Sequence, residues 1–298
     1  MIGLTNLRLR NAPKQKFRCK SNPVRLLAIE THMDTPSDFD PTFSDPTFSE
    51  PPVATPTVSR FPPSLPIADT IPNEHECSYL DNRSARLPLK LPLRILTLDE
   101  FDHALAGGIR RSGVFLYHTE CHECSACEPS RVDVHRFNWR DSFKRVMKRG
   151  DQNLEIRIAR PAVDEQRLAL FNLHRTERGL GAAESNYGSE DYENFLVDTC
   201  LAESVELSFW MKDALIAVSV VDCGRMSLSA VYTYFDPRHS KLSLGTYSIL
   251  KQIAFARDTG RQFAYLGMYV SENRHLSYKS RFTPQERWID GKWVEFLD

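Results

Sequence analysis

Four cysteines pose the first chemical question. Cys121, Cys124 and Cys127 follow a C-x2-C-x2-C spacing, and Cys77 lies upstream. Thiolates so arranged suit zinc or an iron–sulfur cluster, with His118 and His122 as substitute ligands. Four reduced, unliganded thiols fit the same spacing equally well. Cys19, Cys200 and Cys223 belong to no motif, and without a secretory signal a disulfide framework is not expected. A second group is basic: Lys144, Arg145, Lys148 and Arg149 fall at i, i+1, i+4 and i+5, one broad face of a helix. Such a face suits phosphates or is simply solvated. A third group lies between Gly224 and Arg281. Tyr232 and Tyr234 share one face of a strand. Asp236 follows that strand, where it can act as a general base or cap the Asp-Pro turn.

The elements that position these residues are legible in part. Met226 to Phe235 alternates in side-chain type and reads as a strand. Ser243 to Arg257 has helical spacing, Gly260 is placed to end that helix, and Gln262 to Gly267 is a short strand. Together they form a β-turn-α-β unit whose turn presents backbone N–H groups to a ligand. Upstream, Arg94 to Thr97 reads as a short strand. Thr97-Leu-Asp-Glu100 is a capping box for a helix to about Ala106. Val114 to Tyr117 is a strand, and Arg131 to Val134 is extended after the cysteine loop. Asn138 is placed to cap a basic helix over 139–149. Leu154 to Ala159 is a strand, Asp164 to Arg178 a helix, and Ser189 caps a helix through Cys200. Strands at Val205 to Met211 and Leu215 to Val221 flank Lys212-Asp213. A short helix is expected near His275 to Ser280. Asp290-Gly291 joins strands at Arg287 to Ile289 and Trp293 to Phe296.

The 298 residues carry a formal charge of −1, which argues against bulk nonspecific nucleic-acid binding but leaves room for a local basic face. No apolar run approaches the roughly 20 residues that span a bilayer, so no membrane partner is expected and the location expected is cytoplasmic. Twelve of the 18 prolines precede Asn73. The tract Asp34 to Pro66, with its repeated Asp-Pro-Thr-Phe-Ser, cannot bury enough apolar surface to order itself. Residues 1–72 are therefore expected to be a disordered, variable extension, with a basic first segment and Met33 as an alternative start. Residues 73–150 are expected to form a Cys-loop domain, and residues 151–298 a second domain.

The element order of the second half, β-α-α-β-β-β-α-β-α-β-β, predicts an α/β (α+β) mixed sheet flanked by helices, as in GNAT-like N-acyltransferases. That fold holds coenzyme A on a turn of the form Arg/Gln-x-x-Gly-x-Gly/Ala. Here the turn is Lys241-Leu-Ser-Leu-Gly245-Thr246, which lacks the glycines that let backbone approach a pyrophosphate.

Several blocks carry a sharper resemblance: Cys77-Ser-Tyr-Leu80, Gly108-Ile-Arg-Arg-Ser-Gly113, the Cys121–Arg131 loop, Phe143 to Arg149, Leu228 to Pro237, Ser243 to Tyr247, Tyr265-Leu-Gly267 and Tyr278-Lys279. In this order, over about three quarters of the chain, they resemble the aminoacyl-tRNA–protein transferases. The bacterial branch adds leucine to N-terminal aspartate or glutamate, and the eukaryotic branch adds arginine, marking proteins for degradation. The resemblance implies that an N-terminal amine attacks an aminoacyl-tRNA ester, with charged tRNA (Leu or Arg) and proteins with N-terminal Asp or Glu as partners. An α-amine of pKa about 7.7–8.0 and an activated ester demand positioning more than a catalytic triad. No cofactor is required.

On this reading Lys144, Arg145, Lys148 and Arg149 bind tRNA phosphates. Arg131, Lys279 and Arg281 are candidate receptors for the acceptor carboxylate, and any of them equally makes structural ion pairs. Tyr232 and Asp236 are the catalytic candidates, Tyr232 as donor to the reacting carbonyl or as a core residue. Eukaryotic relatives carry a cluster on N-terminal cysteines; here Leu80 stands where a second such cysteine is expected. Two other readings are a coenzyme A-dependent N-acetyltransferase and a non-catalytic adaptor that binds acidic N-termini.

Overall fold

The computed structural model describes residues 65–180 and 186–297. Most of the expected extension, including the repeated Asp-Pro-Thr-Phe-Ser, lies outside them. Its last residues do not follow the expectation of disorder. Ile67–Ile71 is strand β1, because its backbone pairs antiparallel with β4, Leu89–Pro92. Between them lie the short strands β2 (Glu74–Glu76) and β3 (Ser84–Arg86), which pair with each other.

Helix α1 (Leu98–Ala106) begins with the expected box: the Thr97 hydroxyl accepts from the Glu100 N–H, and the Glu100 carboxylate accepts from the Thr97 N–H. The strand expected at Arg94 to Thr97 does not form. Only Leu96 bridges, to Leu201, and Arg94 instead turns outward to pair with Glu100 at 2.7 Å. Strands β5 (Arg110–Ser112) and β6 (Phe115–Tyr117) complete a four-stranded sheet in the order β1-β4-β6-β5.

The principal sheet has eight strands. Its members are β7 (Glu128–Asp133), β8 (Glu155–Ala159), β9 (Ser204–Met211), β10 (Ala214–Cys223), β11 (Ser227–Phe235), β12 (Phe263–Tyr269), β13 (Gln285–Ile289) and β14 (Lys292–Phe296), in the order β14-β13-β7-β12-β11-β10-β9-β8. Only β11 and β12 are parallel, linked by helix α5 (Leu244–Asp258). The expected mixed sheet flanked by helices is therefore present. β7, from before residue 151, is one of its central strands, paired to both β12 and β13.

Alternation along the strands sorts the core into two faces. Val132, Leu207, Val221, Leu228, Ala264 and Leu266 pack beneath α5 and helix α2 (Asp141–Asn153). Gly150 permits this packing, since a Cβ there would lie 2.2 Å from the Tyr247 ring of α5. Opposite, Val218, Val220 and Tyr234 pack against helix α3 (Glu165–Glu177), and Tyr265 packs with α1.

Two helix boundaries differ from expectation. Asn138 does not cap α2: its N–H donates to Thr283 O, and the helix starts after Arg140, whose guanidinium reaches Arg281 O and Thr283 Oγ1. The helix expected from Ser189 to Cys200 is α4 (Ser189–Tyr192) widening into a π-turn over Glu193–Val197. The Leu96–Leu201 bridge holds the following residues extended. The Asp290-Gly291 turn has the expected left-handed pair, with φ of 49° and 77°.

Candidate active site

The parallel ladder between β11 and β12 is short. It registers Ser227 with Phe263, Leu228 with Ala264 and Ser229 with Tyr265, then stops while both strands continue. A register shift against β7 at Gly267, whose φ is 88°, turns β12 away. The result is a wedge between the two strands. Two cations enter it from separate elements. Arg110 of β5 donates Nη2 to Ala230 O at 2.6 Å. Lys279, in a 3-10 turn over Ser277–Arg281, donates Nζ to Met268 O at 2.6 Å. A Cβ on Gly267 would lie 3.3 Å from Lys279 Nζ and 3.6 Å from Arg110 Nη2, so the glycine leaves both cations their place.

Both cations are buried, Arg110 at 6% exposure and Lys279 at 8%. Among the described residues neither lies in an ion pair with a carboxylate, and Arg110 Nη1 is buried without a hydrogen-bond partner. Burial, with Arg110 adding to it, pushes the Lys279 ammonium down to about 7. Burial also lowers Arg110 and raises the phenols of Tyr79 and Tyr117, against the opposing pull of that guanidinium. The next residue does pair with an acid, although its Nη2 is likewise buried without a hydrogen-bond partner. Arg111 Nε meets Asp222 Oδ2 at 2.6 Å, while its Nη1 donates to the carbonyls of Gly113 and Asp198.

Of the three residues expected to receive a carboxylate, the fold brings Lys279 to the wedge. Arg131 is engaged elsewhere: Nε pairs with Glu286 at 2.6 Å, Nη1 donates to Tyr265 Oη, and the guanidinium lies between the Phe263 and Trp293 rings at 4.0 and 4.2 Å. Arg281 ends the same 3-10 turn as Lys279 with its side chain exposed. Arg110 was not among the expected residues. It stands inside the Gly108–Gly113 block, but its residue type alone does not distinguish it from Arg111.

Tyr232 lies on β11, half-buried against the rings of Phe171 and Phe195 at 5.6 and 5.5 Å. Burial pushes its phenol up to about 12, so it keeps its proton at neutral pH. Tyr234 is core, its hydroxyl 2.6 Å from that of Tyr192. The Asp236 carboxylate accepts from the Arg238 N–H and from its guanidinium, and that pairing holds it below the usual carboxylate range. The geometry is that of a turn cap. His174, on α3, lies with Nδ1 2.9 Å from Phe235 O, and burial lowers its imidazole to about 4. Nearby, Arg178 reaches His275 Nδ1 at 2.9 Å.

The basic face of α2 is real in three dimensions: Lys144, Arg145, Lys148 and Arg149 all reach solvent. Lys144 pairs with Asp141, and Arg149 donates to Lys241 O. Lys144 and Lys148 line a groove with Trp139 and with Arg257 of α5.

Cys77, Cys121, Cys124 and Cys127 line one cavity of about 30 Å³ together with Tyr79, Tyr117 and Met268. Among the described residues, however, no three His, Cys, Asp or Glu side chains are arranged to hold a metal. Burial raises the Cys127 thiol to about 12, and the other three sulfurs add to the effect. His118 pairs with Glu120 at 2.6 Å and His122 meets Arg86 at 3.2 Å, so neither substitute ligand turns to the sulfurs. The residues as placed do not fit a zinc or iron–sulfur ligand set. Among the described residues no helix is long and apolar enough to cross a membrane.

Residues 75–145 match the family described as "Arginine-tRNA-protein transferase, N terminus", and residues 166–289 match its "C terminus" counterpart. A protein named aspartate/glutamate leucyltransferase from Acinetobacter baylyi is 38% identical over 223 residues, covering 74% of this chain and 80% of its own length. One of the same name from Thiobacillus denitrificans is 34% identical, covering 78% and 96%. Among solved structures, L-PGS from Bacillus licheniformis is similar at 12% identity and a TM-score of 0.38, over 49% of this chain and 46% of that one.

Proposed function

The chain belongs to the arginine-tRNA–protein transferase family, and on that premise we propose that it transfers leucine from charged tRNA to the N-terminal aspartate or glutamate of acceptor proteins. The observation that carries this is the 34–38% identity to proteins named for that reaction, over 80–96% of their lengths. The product bears a new N-terminal leucine, which marks the acceptor for degradation.

The reaction balances simply. The acceptor's neutral α-amine attacks the ester carbonyl, a C–N bond forms, the C–O bond to the tRNA ribose breaks, and the amine proton passes to the departing ribose oxygen. We place this reaction in the wedge between β11 and β12, where the two strands part and Arg110 and Lys279 enter. Tyr232 keeps its proton near neutrality and is suited to donate toward a developing oxyanion. Asp236, already paired with Arg238, is a weak base and shapes the turn. The exposed face of α2 binds tRNA phosphates. The only co-reactant is the charged tRNA.

We also assign the sheet to the GNAT-like class. The turn that holds pyrophosphate in that class carries Leu244 and Thr246 at its glycine positions here, with Leu242 and Leu244 buried. That favours an aminoacyl-tRNA donor over coenzyme A.

The test is to incubate the protein with an Asp-starting peptide and, separately, leucyl-tRNA and arginyl-tRNA, then read the peptide mass. A gain of one leucine residue is expected. A gain of arginine would reassign the donor. Peptide binding without mass gain from either would leave an adaptor.

A further inference from the structure

The groove between α2 and α5 is not used by the chemistry of the wedge. It holds about 540 Å³, and Trp139, Lys144, Met147, Lys148, Asp151 and Arg257 are among the residues that line it. Two kinds of surface lie side by side there. Trp139 is half-buried, with the Phe137 ring set edge-on to it at 5.0 Å and the Arg257 guanidinium 5.6 Å from its ring centroid. Lys144, Lys148 and Arg257 are exposed cations. Lys144 and Arg257 pair with the exposed acids Asp141 and Asp258 beside them, contacts worth little in water. Asp151 is occupied: it accepts from the Tyr247 hydroxyl at 2.7 Å and from Lys251 Nζ at 3.0 Å. An indole flanked by cations offers what a nucleotide needs, a π-face for its base and donors for its phosphates.

We propose that this groove holds the unpaired acceptor end of the charged tRNA, with one base stacked on Trp139 and the adjoining phosphates on Lys144, Lys148 and Arg257. This rests on the transferase reading above and sharpens the role given there to α2. A paired stem presents phosphates and groove edges, with its base faces stacked inside. Such a surface needs neither a groove nor an indole. An unpaired strand exposes its base faces, and an aromatic ring accepts any of them. The reach agrees with the chemistry. α5 begins just after β11, and Arg257 lies near its far end, about 20 Å away at 1.5 Å per residue. An extended acceptor end bridges that length, with its bases in the groove and its terminal ester between β11 and β12.

The experiment uses the full chain and two uncharged forms of a leucine-accepting tRNA, one intact and one trimmed of its unpaired acceptor nucleotides. Affinity is read by fluorescence anisotropy. Trimming is expected to weaken binding to the unaltered protein by about 5- to 150-fold, the range for one stacked base. Trp139→Ala should weaken the intact tRNA by a similar factor and leave the trimmed one unchanged. Trp139→Phe, which keeps a ring, should restore most of the loss. Should Trp139→Ala fail to fold, the surface variant Arg257→Gln is expected to flatten the dependence of log K on log salt by about 0.7 for the intact tRNA and not for the trimmed one. Variants that weaken both forms alike, or neither, would overturn the groove assignment, as would an unaltered protein indifferent to trimming. Failure of the transferase reading shows separately, as no gain in peptide mass from leucyl-tRNA.

Discussion

Arg111 and Asp222 form an ion pair at 2.6 Å with both side chains 1% exposed, one residue away from an arginine that pairs with no acid among the described residues. The second carboxylate oxygen of Asp222 accepts from Ser204 Oγ at 2.6 Å. The pair ties β5 of the small sheet to β10 of the large one. Removing the acid strands the cation. Asp222→Asn should lower the unfolding free energy by about 3–5 kcal/mol. Urea titration is the measurement, with the m-value expected to hold.

Gly150 and Tyr247 set the spacing of α2 and α5. A methyl group at 150 meets three ring carbons at 2.2–2.5 Å, so α2 must move outward. Gly150→Ala should cost about 1–3 kcal/mol. Combining it with Tyr247→Ala should cost less than the sum of the two single changes, a coupling that a double-mutant cycle measures directly.

The exposed cations of α2 should govern tRNA affinity and not peptide affinity. Replacing Lys144, Arg145 and Lys148 with glutamine should flatten the dependence of log K on log salt by about 0.7–0.9 for each phosphate no longer neutralised. Fluorescence anisotropy with charged tRNA across a salt series reads the slope. KM for the Asp peptide should not change.

His174 makes stability depend on acid. Its imidazole titrates near 4 when buried and near 6.5 when the chain is unfolded. Between those values the unfolded chain binds the proton and the folded chain does not. The stabilisation is therefore complete above about pH 6.5 and lost as pH falls toward 4, amounting to roughly 3 kcal/mol. His174→Gln should flatten stability over that window, as followed by denaturation at a series of pH values.

Much of the frame was written locally. The alternation of Met226 to Phe235, the spacing of Ser243 to Arg257 and the Thr97–Glu100 box each depend on neighbours in sequence, and each formed within a residue or two of its expected place. The errors came where distant backbone intervened. Arg94 to Thr97 gave up its strand to a bridge with Leu201, and Thr283 took the amide of Asn138. The site divided the same way. Lys279 stood in a motif and reached the wedge, and the basic face of α2 followed from helical spacing alone. Arg110 and Arg111 are the same residue side by side. Only the fold assigns one an aspartate and leaves the other open, because opposite sides of a short strand face different parts of the large sheet. Arg131 illustrates the converse: its motif position was legible, but the Glu286 that occupies it arrives on a strand near the chain's end.

β7 is held between β12 and β13, two strands that the chain supplies only near its end. During synthesis this segment must wait with both of its backbone edges unpaired until β12 and β13, more than 120 residues later, have emerged. An open strand of that kind is a template for pairing between chains. Truncations that remove β13 should therefore yield aggregates rather than a smaller soluble protein, and the yield on expression should depend on chaperone supply more than on the stability of the finished fold.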